Sequence, residues 1–169
     1  LLVSPSVAFS YQANSAVSFG IIGTGGRGTY VGSHMTRDKN ARLAAICDIY
    51  PDKIDAAKTH IPGADKVPSY RDLNELLAKP DIDAVLIATP VFLHPDHFVA
   101  AVKADKHIYC EKPAGADVKN ILKLLKAGTE QANPKKTIQF GFQQRFSREY
   151  LKAKAMVDSG AAGEMKVMM

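Results

Sequence analysis

Short apolar runs recur along the chain, and stretches with helical spacing lie between them. Val17–Ile22, Arg42–Cys47, Ala84–Ala88, His107–Cys110 and Thr137–Gly141 form five short apolar runs. Runs of that length suit strands covered on both faces, as in a parallel sheet. Helix signals fill the gaps. Ser69-Tyr70-Arg71-Asp72 looks like a capping-box start, and Leu73, Leu76 and Leu77 follow at i, i+3, i+4 spacing until Pro80 stops the helix. Pro95 suits a first helical turn, with Phe98, Val99 and Val102 on one face. Asp117 is placed to cap a further helix whose core side is read as Ile121, Leu122, Leu124 and Leu125. A last helix is expected from Arg148 to Ser159. After Gly160 and Gly163, the apolar piece Met165–Met169 reads as a strand just begun. Strands alternating with helices predict βαβ units with right-handed crossovers, so the fold class is α/β with a doubly wound parallel sheet.

Composition narrows the picture without changing it. With 169 residues, 46% hydrophobic and 23% charged, the chain is long enough for one domain with a proper core and too apolar to be disordered throughout. No apolar run approaches the ~20 residues that span a bilayer, so no membrane partner is expected. The formal net charge of +5 is spread thinly, with no block of basic residues, which argues against a nucleic-acid partner. Cys47 and Cys110 end apolar runs and read as small buried thiols; their spacing matches no metal motif. Residues 1–16 are uncharged and rich in Ser, Ala, Val and Pro. They read as a lead-in, or as the remnant of an export signal with Ala13 near its cleavage region, so residence in the cytoplasm or the periplasm stays open.

The chemistry begins where the first run ends. Gly23-Thr24-Gly25-Gly26-Arg27-Gly28 fits G-x-G-x-x-G and sits between an apolar strand and a helix. Gly23 permits a tight turn, Gly25 lets backbone approach a pyrophosphate, and Gly28 lets the helix pack close to the strand. The phosphates would rest on free N–H groups at the helix N-terminus. Asp48 closes the second strand, placed to accept hydrogen bonds from a ribose diol and to repel a 2′-phosphate. The cofactor this predicts is NAD, on a Rossmann-type domain spanning residues 17–140. Tyr30 is a further neighbour of that site on geometry.

Further segments extend the pattern. Ala88-Thr89-Pro90, then His94, then Glu111-Lys112-Pro113, and Gly141-Phe142-Gln143-Gln144-Arg145-Phe146 resemble the glucose–fructose oxidoreductase / inositol dehydrogenase (Gfo/Idh/MocA) family. The resemblance runs from Val17 to about Gly163. It implies a Rossmann domain followed by an α+β domain, of which residues 141–169 would be the truncated start. It implies that Ala88, Thr89 and Pro90 end the strand under the cofactor, and that His94 is the histidine after the Thr-Pro turn. Glu111 would lie near the nicotinamide ribose and Pro113 would shape the bend beside the ring. Lys112 would be the catalytic position of this half, and Arg145 would stand where cofactor and substrate meet. His97, one turn beyond His94, reads as structural or exposed. No metal is implied.

The activity so implied is NAD-dependent hydride transfer to or from a hydroxyl of a sugar, cyclitol or polyol. Lys112 would orient that hydroxyl and favour its alkoxide character. The family's general base lies in the second domain, beyond the residues that match. The expectation is therefore a fragment that binds NAD and turns over poorly alone, from a homo-oligomer assembled through its second domain. One alternative is an NAD-dependent glycosidase of the same family, working by transient oxidation and elimination. Another is a non-catalytic NAD-binding sensor. A generic Rossmann domain, such as a nucleotide-sugar epimerase or a methyltransferase, is discounted on the expectation that no Tyr-x-x-x-Lys helix is present.

Overall fold

A computed structural model describes residues 16–161 together with 163, 164 and 166. Nearly all of the lead-in, and the incipient strand expected over Met165–Met169 apart from Lys166, lie outside the described residues.

Six strands form one parallel sheet: β1 (Val17–Ile22), β2 (Ala41–Cys47), β3 (Ser69–Tyr70), β4 (Ala84–Ile87), β5 (His107–Cys110) and β6 (Ile138–Phe140). Their order is β3-β2-β1-β4-β5-β6, and every neighbouring pair runs parallel. Six helices connect or follow them: α1 (Gly26–Met35), α2 (Pro51–His60), α3 (Leu73–Leu77), α4 (His94–Lys103), α5 (Val118–Lys126) and α6 (Arg148–Asp158).

The continuous apolar texture of the strands has a direct cause, because both faces of the sheet are covered. Successive side chains on a strand point to opposite faces. Ile21, Ile46 and Leu86 face one way and pack with Ile54, Ala57 and Ile61 under α1 and α2. Ile22, Cys47, Val85 and Ile87 face the other way and pack with Leu76, Phe98 and Leu124 under α3, α4 and α5. Phe98 also stacks on Phe140, ring centroids 5.9 Å apart.

Three expectations need correction. Ser69 and Tyr70 do not open a helix; they pair with Ile46 and Cys47 as the short edge strand β3. Asp72 alone caps α3, through the amide of Asn74. A sheet edge that offers unpaired backbone groups captured two residues that local pattern assigned to the cap. The apolar side of α5 is only partly core: Leu124 is buried, whereas Ile121, Leu122 and Leu125 are exposed. One sheet face covers a narrower stripe of helix than the sequence offers. The third and fifth runs are also shorter as strands, ending at Ile87 and Phe140.

Candidate functional site

The register of the sheet builds the site. Ile22 pairs with both Cys47 and Ile87, Ile87 with Cys110, and Cys110 with Phe140. The residues that follow, Gly23, Asp48, Ala88, Glu111 and Gly141, therefore stand in a row along the carboxyl edge. The ladder continues one step through them. Gly23 N donates to Cys47 O at 2.8 Å, Ala88 N to Ile22 O at 2.9 Å, Glu111 N to Ile87 O at 2.9 Å and Gly141 N to Cys110 O at 2.9 Å. The chain order reverses direction between β1 and β4, the topological switch point where such sheets open a crevice for ligands.

Gly23 turns sharply, with φ +92°, and a Cβ there would meet Thr89 N at 2.7 Å. Gly28 approaches so closely that a Cβ would stand 1.9 Å from Gly23 O. Gly25 and Gly26 face open space, with nothing within 4 Å of an added Cβ. Among the described residues no side chain caps α1, and its first turn holds no acidic residue. An open backbone cradle at the positive end of a ten-residue helix fits the two phosphates of a dinucleotide.

Asp48 fastens this loop to β2. Its Oδ2 accepts from Thr24 N at 2.8 Å and lies 3.3 Å from Thr24 Oγ1, and its Oδ1 accepts from Tyr50 N at 3.1 Å. Thr24 is itself buried. Its carbonyl accepts from Thr29 Oγ1 at 2.9 Å.

Across the crevice, Arg27 reaches Glu111 at 2.8 Å and so ties the start of α1 to the end of β5. That pairing raises the Arg27 guanidinium above its ordinary value, against burial. Arg27 also lies 5.5 Å from the centroid of the Tyr30 ring. Glu111 is buried, accepts from Lys112 N at 3.3 Å and meets Tyr109 OH at 3.4 Å. Burial, then the Glu111 charge, pushes the Tyr109 phenol up. Lys112 and Pro113 are exposed at the rim, joined by a cis peptide. Arg145 is exposed in the turn after β6, its guanidinium 5.0 Å from the centroid of Phe142.

Thus the fold brings Gly23, Thr24, Gly25, Gly26, Arg27, Gly28, Asp48, Ala88, Thr89, Glu111 and Lys112 to one edge. His94 behaves differently from a rim residue. It is buried, with Nδ1 2.8 Å from Pro113 O and Nε2 2.8 Å from Thr89 O. His97, expected to be structural or exposed, is half-buried with Nδ1 3.0 Å from Thr89 Oγ1, and burial holds it below the usual histidine range. Tyr109, inside a strand run, meets Glu111 at the same edge.

The ground for discounting a short-chain epimerase also needs correction. Tyr150 and Lys154 do stand in a Tyr-x-x-x-Lys spacing on α6. Lys154 pairs with Asp158 at 2.5 Å on an exposed helix that follows β6. Among the described residues no helix is long and apolar enough to cross a membrane, and no three His, Cys, Asp or Glu side chains gather as for a metal ion.

Strand order, switch point and glycine turn together define a Rossmann-type dinucleotide-binding domain. The chain belongs to the Gfo/Idh/MocA group, described as an oxidoreductase family with an NAD-binding Rossmann fold, whose match covers residues 17–137. It is 32% identical over 150 residues to myo-inositol 2-dehydrogenase of Thermotoga maritima, covering 88% of this chain and 43% of that protein. It is 36% identical over 149 residues to inositol 2-dehydrogenase of Pseudarthrobacter chlorophenolicus, covering 88% and 43%. Scyllo-inositol dehydrogenase of Lactobacillus casei, solved with bound NAD(H) and scyllo-inositol, superposes with a TM-score of 0.79 at 31% identity, covering 88% and 43%. The chain therefore spans less than half the length of these relatives.

Proposed function

We propose that this chain holds NAD in the crevice at the carboxyl ends of β1, β2, β4 and β5, and that Lys112 orients a cyclitol or sugar hydroxyl for hydride transfer. The carrying observation is the row of Gly23, Asp48, Ala88 and Glu111 in one register, beside an uncapped helix start with open glycines. When bound, the nicotinamide ring supplies the hydride acceptor or donor. The residues of this chain do the rest. The amides that open α1 bind the phosphates. Asp48, already anchored on Thr24, keeps further lone pairs for a ribose diol, since an ionised carboxylate accepts at about four sites. The Arg27–Glu111 pair fixes the distance between the phosphate loop and the rim. Lys112, exposed there, donates to a substrate hydroxyl oxygen and favours negative charge on it. Relatives named for inositol favour a cyclitol as the substrate class. Neither the glycosidase nor the sensor reading has an observation of its own in this site.

Calorimetric titration of the chain with NAD tests the reading. Saturable heat is expected, with weaker binding of NADP because its 2′-phosphate meets Asp48. No heat at millimolar NAD would reject it.

A further inference from the structure

Thr89 is held at two of its own groups by one helix. His94 Nε2 lies 2.8 Å from its carbonyl oxygen, and His97 Nδ1 lies 3.0 Å from its hydroxyl. The other ring nitrogen of His94 lies 2.8 Å from the carbonyl oxygen of Pro113. One imidazole, 1% exposed, thus spans the end of β4 and the loop that carries Lys112. The helix start and that loop also touch: a Cβ on Gly115 would lie 3.0 Å from Pro95 Cγ.

The chemistry of the ring sets a condition. Carbonyl oxygens only accept hydrogen bonds. A neutral imidazole has one N–H, so it can serve one of the two carbonyls, and its bare nitrogen would then face lone pairs of the other. Both contacts are hydrogen bonds only when both nitrogens carry protons. Ionisable neighbours on the surrounding elements are Asp96 and His97 on α4, Lys123 of α5 paired with Asp96, and Glu111 and Lys112 beside Pro113. Burial holds His97 below the usual histidine range.

We propose that His94 is a positioning residue which, with a proton on each ring nitrogen, clamps the Lys112 loop to Thr89 and so sets the width of the crevice at its nicotinamide end. Thr89 in turn backs the Gly23 turn, so the clamp bears on both ends of the site. The consequence for NAD rests on the cofactor reading above; the clamp itself does not.

Two measurements test it on the full chain. Nitrogen-15 NMR of the histidine rings around neutral pH, without NAD, reads the protons directly. Two N–H signals from His94, assigned by their loss in His94→Gln, are expected. A bare, pyridine-type nitrogen on His94 overturns the proposal. Calorimetry then compares His94→Phe, which keeps ring volume and removes both donors. NAD affinity is expected to fall about tenfold or more, with His94→Gln between it and the native chain. Affinity within about twofold of native for His94→Phe overturns the positioning role. If His94→Phe does not fold, the NMR result on the native chain decides. If the native chain gives no heat with NAD, the cofactor reading fails, while the ring protons still report on the clamp.

Discussion

At the scale of single residues, Gly28 is held by backbone on the far side. A Cβ there would stand 1.9 Å from the Gly23 carbonyl oxygen, and that oxygen cannot withdraw without opening the turn. Gly28→Ala is expected to cost about 1–3 kcal/mol in stability, as overpacking does. It should also weaken NAD binding about tenfold, read by urea unfolding and calorimetry together. Lys112 predicts the opposite. Lys112→Met should leave the urea midpoint unchanged and NAD affinity within about twofold, because that side chain is exposed at the rim. A larger loss of affinity would place Lys112 among the groups that hold the cofactor. The glycines were legible from sequence because a φ of +92° and a missing Cβ both select the residue type. The contacts of His94 were not. A histidine before Pro95 signals a helix start, and nothing local names the two carbonyls, one of them nineteen residues away.

At the scale of elements, α5 shows where periodicity stops being informative. Its cap is as the sequence indicates, with Asp117 accepting from the Asn120 amide at 2.9 Å and from its side chain at 2.7 Å. Those two bonds hold the Asp117 carboxyl below the usual aspartate value. Folding therefore favours the ionised form. The resulting stability is fully present above the unfolded value of 3.8 and is lost as pH falls through the lower folded one. Asp117→Ala is expected to lower the urea midpoint at neutral pH, and the gap from native should close in acid. A gap that persists in acid would mean that the charge is not what stabilises the cap. The apolar face is another matter. Leu124→Ala should cost about 2–5 kcal/mol as a buried leucine, whereas Leu122→Glu should be neutral within about 0.5 kcal/mol. Both leucines have the same hydropathy and neighbouring places in the pattern. Only the packing of α5 against the sheet tells them apart, with Leu124 at 5% exposure and Leu122 at 58%.

At the scale of the whole molecule, the two cysteines report on global opening. Burial pushes the thiols of Cys47 and Cys110 up to about 12, so almost no thiolate exists at neutral pH. Both lie in the same buried cluster beneath α3, α4 and α5. Alkylation of the native chain should be slow and should follow unfolding rather than thiol chemistry. Saturating NAD should slow it further. Ligand at a hundred times its Kd adds about 2.7 kcal/mol, a roughly hundredfold drop in the open population. Labelling that ignores NAD while calorimetry shows binding would mean that the cysteines open locally.

What the sequence by itself determined is the class of the molecule. Short apolar runs and a glycine turn between strand and helix each have one dominant physical reading, because each depends on local sterics or on two neighbouring elements. The tertiary structure decided what depends on partners far along the chain. It set the register that lines up Gly23, Asp48, Ala88 and Glu111, and the capture of Ser69–Tyr70 by a free sheet edge. It also decided which leucines of α5 lose water and which carbonyls a buried histidine meets. Hydrogen bonds and burial belong to pairs of groups, and the sequence states only one member of each pair at a time.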